Sequence, residues 1–287
     1  MSLLIGTAIG LIRLEDGARL IEGTRINHVS RLGDEWWAVD GKSRIHHMEE
    51  IVGALPDRAK ALCIQPTPET VWIGADGGHL FALEGKEIVE DEFLSNAPGS
   101  EHWYTPWGGP PAVRSMALDA DRTLYVNVHV GGLLRYDDTG LVPTIDIDAD
   151  VHEVTAHPTL QGAIFAATGW GLAQSHNGHD FVFRTEGLHS NYCRAVTVIE
   201  NTLVMSASTG PDSNQARIYR GDLWEGPLEP ATVGLPEWFE YNIDTHCLAV
   251  RTGSVYAGLG GTVWASVDSG ETWVVAVSGL PTITCLG

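Results

Sequence analysis

The chain is poor in basic residues. It contains 17 lysines and arginines against 37 aspartates and glutamates, a formal net charge of −20 over 287 residues. Proteins that bind nucleic acids or anionic membranes need clustered cations to neutralise phosphates. We therefore expect neither nucleic acid nor a membrane surface as a partner. A solubilising surface accounts for the acidic excess.

Long apolar runs are also missing. No stretch approaches the ~20 apolar residues of a membrane span, and residues 1–6 lack the basic region and long apolar core of a signal peptide. The cysteines have neither CxxC nor CxxH spacing, so the sequence indicates neither a zinc cage nor a disulfide framework. They are Cys63, Cys193, Cys247 and Cys285. A cytoplasmic location is the expectation.

The chain is rich in glycine, tryptophan and short apolar runs. It contains 33 glycines and 10 tryptophans, and its runs of β-branched and apolar residues are separated by Gly, Asp and Pro. No amphipathic helix of three turns or more stands out. These features predict an all-β protein, and closed all-β architectures of this length are commonly one domain. We expect a single domain over residues 1–287.

One octet near the C-terminal end carries a recognisable turn pattern. Residues 266–273 read S-x-D-x-G-x-T-W, in which Asp268 can accept backbone N–H bonds and Gly270 supplies a backbone angle that other residues resist. Trp273 is placed to pack under the loop. The octet resembles the Asp-box of the BNR (bacterial neuraminidase) repeat of sialidase-like β-propellers. The resemblance implies a propeller in which Asp268 has a structural role.

The octet belongs to a unit that recurs along the chain. The unit has the order strand, turn, strand, Gly-rich loop, strand, box, strand. Copies begin near Ile26, Ala59, Val113, Val151, Cys193 and Thr245. Worn boxes occur at residues 137–140 and 176–178.

The two chain ends supply a seventh unit. Residues 282–287 match the first strand of a unit, and residues 3–7 and 10–14 match the next two strands. Pairing these ends closes the ring and removes the exposed edges of an open array. Seven units of about 41 residues fit the length of propeller repeats. We expect an all-β, seven-bladed propeller of four-stranded antiparallel sheets, or six blades if the unit around Asn27 is incomplete.

The propeller model places one residue of each unit at the rim of the central channel. The loops that enter the innermost strands share this rim, opposite the Asp-box hairpins, and the aligned rim residues are all polar. They are Asn27, Lys60, Arg114, His152, Arg194, His246 and Thr284. Either these strand ends are polar because they meet solvent, or they form a cationic ring for a carboxylate, sulfate or phosphate. Arg114 and Arg194 would then offer bidentate forks.

The residue after each rim position is small in most units, as closely packed blades require. In the fifth blade it is Glu153, which makes this carboxylate the candidate general acid or base. His152 and His246 are the other candidate catalytic residues. His129, His152 and His246 could also hold zinc or another divalent ion, together with Asp244 or Glu153. The alternative is that these histidines are ordinary solvated side chains.

Two insertions that precede inner strands carry six aromatic residues. They are Trp103, Tyr104 and Trp107 within residues 95–111, and Trp238, Phe239 and Tyr241 within residues 236–244. The alignment places Trp170 and Tyr192 on the same rim. These side chains either pack over the blade tops or cover a sugar or an aromatic ligand.

Three functions fit these features. The first is an enzyme, a hydrolase or lyase, that acts on a carboxylated or glycosidic small molecule at the channel rim. The second is a binding protein for such a ligand, and the third is an interaction scaffold similar to photosystem II assembly-factor propellers. Sialidase activity is not expected, because the chain lacks the Arg-Ile-Pro motif and sialidases have six blades on a longer chain. The predicted ligand-binding residues are Arg114, Arg194, Lys60, Asn27, His129, Trp170, Tyr192 and Asp244.

Overall fold

The chain folds as a seven-bladed β-propeller. The computed structural model describes residues 2–106, 108–137 and 140–287, and these residues form seven four-stranded antiparallel sheets. The predicted fold is therefore confirmed, and the six-bladed alternative is wrong. Trp107 and the middle of the worn box at residues 137–140 lie outside the described residues.

Each blade uses four strands, and the ends of the chain share one blade. Blade 1 contains β1 (Leu4–Thr7), β2 (Gly10–Arg13), β3 (Arg19–Glu22) and the last strand, β28 (Ile283–Leu286). Blade 2 contains β4 (Ile26–Leu32), β5 (Glu35–Asp40), β6 (Arg44–His47) and β7 (Glu50–Ala54). Blade 3 contains β8 (Ala61–Pro66), β9 (Val71–Ala75), β10 (Leu80–Glu84) and β11 (Glu87–Glu90). Blade 4 contains β12 (Ala112–Leu118), β13 (Leu124–His129), β14 (Gly132–Asp137) and β15 (Gly140–Ile145).

The remaining three blades follow the same order. Blade 5 contains β16 (Val151–Ala156), β17 (Ile164–Thr168), β18 (Gly171–Ser175) and β19 (Val182–Arg184). Blade 6 contains β20 (Tyr192–Ile199), β21 (Thr202–Ser208), β22 (Ala216–Asp222) and β23 (Glu229–Pro230). Blade 7 contains β24 (Leu248–Arg251), β25 (Ser254–Leu259), β26 (Thr262–Ser266) and β27 (Val274–Val277).

Helix is confined to short connections. The described residues include one α-helix, α1 (Glu92–Ser95), and two 3-10 turns, Ser100–His102 and Ile147–Ala149. In this described part of the chain, no helix has the length and apolar character needed to cross a membrane.

The ring closes through the pairing of β28 with β1. Ile5 pairs with Leu286 and Gly6 with Cys285, and the backbone of Leu4 exchanges hydrogen bonds of 2.7 and 3.0 Å with that of Gly287. A Cβ atom at Gly6 would lie 2.3 Å from Cys285 Sγ, so the close approach of the two strands requires glycine there. The closure predicted from the chain ends is present.

The core lies between neighbouring blades. The first strands of consecutive blades contact one another around the ring, so they line the channel. Every residue of β17 and β18 is buried, because both faces of blade 5 pack against other blades. On the outer strand β27, Val274 and Val275 are 66% and 55% exposed. Burial therefore decreases from the inner strands to the outer ones.

The octet at residues 266–273 forms a hydrogen-bonded turn between β26 and β27. Asp268 accepts from the backbone N–H of Thr272 at 2.9 Å and from the hydroxyls of Thr272 and Ser266 at 2.6 and 2.7 Å. Trp273 is buried and donates to the Gly270 carbonyl at 3.0 Å. These bonds stabilise the hairpin, and they lower the pKa of Asp268 well below its usual range. The Asp268 carboxylate therefore has a structural role.

A buried carboxylate organises the rim of blade 2. Asp40 is fully buried and accepts from the backbone N–H groups of Lys42 and Arg44 at 2.9 and 3.0 Å. The Arg44 guanidinium binds it at 2.6 and 2.7 Å, and His46 Nε2 lies 3.1 Å away. Although burial alone would raise the pKa of Asp40, these partners lower it.

We predict that Asp40→Asn lowers the free energy of unfolding at pH 7 by about 3 kcal/mol, since breaking one side of a buried ion pair costs about 3–5 kcal/mol. The loss shrinks below about pH 4, because the wild-type carboxylate is protonated as the pH falls through its lowered pKa. Urea unfolding at pH 7 and pH 3.5 measures both effects. Asp57→Asn, at an exposed aspartate, is the control. A pH-independent difference between wild type and variant would contradict the ionic account.

Candidate functional site

A β-bulge near the start of the inner strand in six of the seven blades brings one residue per blade to the channel. The register shifts after Ile26, Ala61, Val113, Val151 and Cys193 each leave one residue without a pairing partner. A bulge of this kind bends the strand and redirects the extra side chain. The bulge residues, together with the equivalent residues of blades 1 and 7, are Asn27, Leu62, Arg114, His152, Arg194, His246 and Thr284.

The observed register corrects the predicted position in blade 3. Leu62, rather than Lys60, is equivalent to the other bulge residues and lines the channel mouth. Lys60 lies two residues earlier and is exposed, and its backbone N–H donates to Asp76 at 2.6 Å. Both residues are compatible with the alternation of β8, so the sequence pattern alone does not distinguish them.

Several polar bulge residues serve the packing of the ring. Asn27 donates to the Ala61 carbonyl at 2.7 Å, and His152 Nδ1 lies 2.6 Å from the Cys193 carbonyl. The Thr284 hydroxyl donates in the same way to a carbonyl of blade 2. In each case the side chain pairs with the backbone of the next inner strand, where a buried carbonyl needs a donor. Polarity at these positions therefore has a structural cause.

Arg114 and Arg194 converge on one carboxylate instead. Arg114 Nη2 lies 2.7 Å from Asp244 Oδ1, and Arg194 reaches the same oxygen through Nε at 3.0 Å and Nη2 at 2.7 Å. Arg194 Nη1 also donates to the Tyr192 hydroxyl at 3.0 Å. Although burial opposes it, the two guanidinium charges lower the pKa of Asp244 to about 2. We call these three charged residues the arginine–aspartate cluster.

The arginine–aspartate cluster lies between two cavities. A cavity of about 360 Å³ at the channel mouth is lined by Arg114 and Asp244 together with Arg25, Asn27, Leu62, Ala112, His129, Thr245, His246 and Thr284. A polar cleft of about 580 Å³ is lined by Arg194 and Asp244 together with residues 211–214 and 240–242. The Asp244 side chain is 48% exposed, so a molecule in either cavity can reach the cluster.

Glu153 is buried and bonded to the backbone of two other blades, blade 6 and blade 7. Oε2 accepts from the Val196 N–H at 3.0 Å, and Oε1 accepts from the His246 N–H at 2.8 Å. Ser115, at the equivalent position of blade 4, accepts from the Val154 N–H at 3.0 Å in the same way. The contacts of Glu153 are therefore those of an inter-blade connector. Its predicted acid–base role stays a prediction.

His246 is also held by the protein. Its Nε2 lies 3.0 Å from the Arg114 carbonyl and its Nδ1 lies 3.3 Å from Glu153 Oε1. The ring stacks on His28 with 3.8 Å between centroids, and burial together with the His246 charge lowers the pKa of His28 well below its usual value. The contacts of His246 are therefore with Arg114, Glu153 and His28 and not with His129 or His152, although His246 lines the channel mouth.

Two of the three histidines considered as metal ligands do come together. His129, at the end of β13, and His152 have ring centroids 5.5 Å apart, and Asp150 lies between them. Asp150 is the residue that the sequence analysis missed. The sequence feature that could have identified Asp150 is its position two residues before His152, in the loop that enters β16. The expected third ligands, Asp244 and Glu153, are engaged elsewhere.

The aromatic residues of the two insertions divide into packed and exposed side chains. Trp103 packs against the core of blade 4, Phe239 is buried, and Trp238 stacks on Arg217. Tyr104 and Tyr241 are 49% and 68% exposed, and Tyr241 lines the polar cleft. The insertions are thus anchored by three aromatic residues.

The other two predicted aromatic contacts lie in different places. The Tyr192 ring packs edge-on against His152 at 4.7 Å, beside the arginine–aspartate cluster. Trp170 contacts Phe183 of the outer strand β19, with 5.5 Å between ring centroids. Tyr192 therefore belongs to the channel site, whereas Trp170 faces the periphery of blade 5.

Comparisons with known proteins identify the fold. No family model and no curated protein matches the chain. Virginiamycin B lyase from Staphylococcus aureus, solved as a catalytically inactive variant with quinupristin, aligns with a TM-score of 0.62 and 11% identity over 88% of this chain and 84% of that one. A candidate 6-phosphogluconolactonase from Bacteroides uniformis aligns with a TM-score of 0.62 and 10% identity over 100% and 98% of the two chains. The WD40 propeller domain of Doa1 aligns with a TM-score of 0.61 and 14% identity over 95% and 83%.

We predict that Glu153→Ala lowers the free energy of unfolding by about 2–4 kcal/mol, because two buried backbone N–H groups lose their acceptor. Glu153→Gln should lose less, since the amide oxygen retains one acceptor. Chemical denaturation of wild type and both variants measures the series. Unchanged stability in Glu153→Ala would contradict the connector role and restore an acid–base role as the explanation of this carboxylate.

Proposed function

We propose that the channel mouth binds an anionic small molecule, whose carboxylate or phosphate is held by Arg114 and Arg194. The observation that carries the proposal is the convergence of two guanidinium groups on one half-exposed carboxylate oxygen between two cavities. Arginine binds carboxylates and phosphates through paired, charge-assisted hydrogen bonds. In a chain with a net charge of −20, this placement concentrates positive charge at one point.

The charge of the arginine–aspartate cluster favours an anion. Two arginines and one aspartate sum to +1 (+2 − 1), and Arg25 adds a further positive charge to the lining of the channel mouth. Asp244 occupies the position that a ligand carboxylate would take against the guanidinium groups. It is held there by its neighbours, since the Thr245 hydroxyl donates to the His152 carbonyl at 3.1 Å and the Ile243 carbonyl accepts from Ser206 at 2.9 Å. Asp244 therefore limits how tightly an anion binds.

An enzyme that acts on such an anion, a hydrolase or a lyase, is the catalytic form of this proposal. Among the structural neighbours are a protein named as a lyase and one named as a candidate lactonase. The carboxylate first considered for acid–base chemistry, Glu153, is bonded to backbone N–H groups. Ligand binding is therefore the function that the side-chain contacts support best.

An interaction scaffold is the second candidate function. Trp170 and Phe183 are in contact on blade 5 and are 47% and 41% exposed, and the adjacent Val182 is 60% exposed. Exposed apolar patches of this kind mark protein interaction sites in other proteins. This candidate predicts that no small anion stabilises the protein.

We predict that citrate raises the melting temperature of the wild-type protein and that Arg194→Ala reduces this shift. Loss of charge-assisted hydrogen bonds worth about 1.5–3 kcal/mol corresponds to a roughly 10- to 100-fold weaker affinity. Thermal-shift titration of the metal-free, EDTA-free protein with citrate, at constant ionic strength, measures the effect.

The matched control is Arg217→Ala in the same blade. Arg217 is also partly buried and paired with a carboxylate, Glu237, at 3.0 Å, but it stacks on Trp238 away from the channel. The citrate shift should be unchanged in this variant. Absence of a shift in wild type, with citrate, phosphate and sulfate alike, would contradict anion binding and favour the scaffold.

Asp244→Asn should act in the opposite direction. Removing the competing charge changes the sum of the cluster from +1 to +2, so we predict citrate binding that is tighter by roughly tenfold, or about 1.4 kcal/mol. Isothermal titration calorimetry of wild type and variant measures the two affinities. Weaker binding in Asp244→Asn would show that Asp244 contacts the ligand instead of competing with it.

A further inference from the structure

We propose that His129, Asp150 and His152 form a binding site for a divalent transition-metal ion of the zinc type. Each residue offers one ligand atom, and the three atoms lie within 4.8 Å of one another. The three residues come from the rim of blades 4 and 5, where β13 ends and β16 begins. The proposal concerns metal binding alone and is independent of the anion site.

His152 presents an unprotonated nitrogen to the site. Its Nδ1 lies 2.6 Å from the Cys193 carbonyl, which only accepts hydrogen bonds, so Nδ1 carries the proton. In the neutral ring, Nε2 then has its lone pair free to bind a metal. A backbone carbonyl that fixes the tautomer in this way is the usual outer partner of a metal-binding histidine.

The same nitrogen is buried without a hydrogen bond. His152 is fully buried, and its Nε2 makes no hydrogen bond to any residue in the described part of the chain. Asp150 Oδ2 lies 3.2 Å away, but the pair does not have the geometry of a hydrogen bond. A lone pair that faces a carboxylate is repelled unless a proton or a metal ion lies between them.

The distances from Asp150 to the two histidines are close to those between ligands of one metal ion. Asp150 Oδ1 lies 3.2 Å from His129 Nε2, and Oδ2 lies 3.2 Å from His152 Nε2. Ligand atoms about 2.0–2.2 Å from one tetrahedral ion are roughly 3.3–3.6 Å apart. Asp150 Oδ1 is also buried without a hydrogen bond among the described residues. The three ligand atoms lie within 4.8 Å of one another, so the two histidine rings would have to approach each other to bind one ion together with Asp150.

The site can be reached from the channel. His129 lines the cavity at the channel mouth, whereas the Tyr192 ring covers His152 from the other side at 4.7 Å. Arg114 Nη1 lies 3.4 Å from His129 Nε2, and its charge opposes a cation. Asp244 offsets that charge through its 2.7 Å bond to Arg114, and Asp150 supplies one negative charge directly.

The ligand set selects the class of metal. Two imidazoles and one carboxylate suit zinc and other first-row transition metals better than magnesium or calcium, which prefer oxygen ligands. Three protein ligands leave a coordination position open, as in catalytic zinc sites. An ion here would lie next to Arg114, so an anion bound by the arginines would be within reach of a Lewis acid.

The test is titration of the EDTA-treated full-length protein with Zn²⁺ by calorimetry, and with Co²⁺ by visible absorption. We expect one ion per chain. Asp150→Asn and His129→Ala should each weaken Zn²⁺ binding about 100-fold or more, because even an outer partner of a ligand is worth about 10–100-fold. No citrate is present, so the outcome does not depend on the arginine site.

His79→Ala is the matched control. His79 lies 2.6 Å from the carboxylate of Glu90 and is partly exposed, so it forms a histidine–carboxylate pair outside the channel. This variant should bind Zn²⁺ like wild type. Binding that is absent in wild type, or unchanged in both Asp150→Asn and His129→Ala, overturns the proposal.

A direct measurement on the wild-type protein does not depend on whether the variants fold. Zinc X-ray absorption of the loaded wild-type protein should show two imidazole ligands and light-atom oxygen ligands in the first shell. A first shell with sulfur, or with oxygen alone, overturns the assignment to His129, Asp150 and His152.

Discussion

The β-bulge near the start of six of the seven inner strands is the constraint on which the channel depends. It leaves one residue per blade outside the ladder and turns that side chain toward the axis. It also leaves the neighbouring backbone in need of partners. The side chains of Asn27 and His152 meet this need by bonding to the next inner strand. The ring of polar residues therefore has a structural role, because some of its side chains join neighbouring blades.

The proposed binding sites use side-chain groups that do not bond to the backbone of a neighbouring blade. Arg114 and Arg194 do not follow the carbonyl-capping pattern of Asn27, and they meet at Asp244. His152 does both, because one ring nitrogen bonds the next blade and the other faces Asp150. A structural bond to the backbone thus orients the group that the proposed metal site needs. The same hydrogen bond serves the fold and the chemistry.

The two proposed sites share one side of the channel mouth. Arg114 touches His129 on one side and Asp244 on the other, so a metal ion and an anion would lie side by side. Their charges would support each other, because each offsets the repulsion that the other meets from the arginines and aspartates. In an acidic protein, this arrangement confines cationic chemistry to a small, partly buried region.

The sequence alone determined the repeat and the closure of the ring and favoured seven blades over six, because these follow from patterns within each unit of about 41 residues. It also predicted that Arg114, Arg194, His129 and His152 lie at the rim of the channel. Tertiary structure decided which residues meet, since contacts between blades depend on a bulge register that strand alternation leaves open. That register places Leu62, and not Lys60, at the channel mouth in blade 3. Tertiary structure also brings Glu153 within hydrogen-bonding distance of backbone N–H groups. It places Asp150, a loop residue without a sequence pattern of its own, between two histidines.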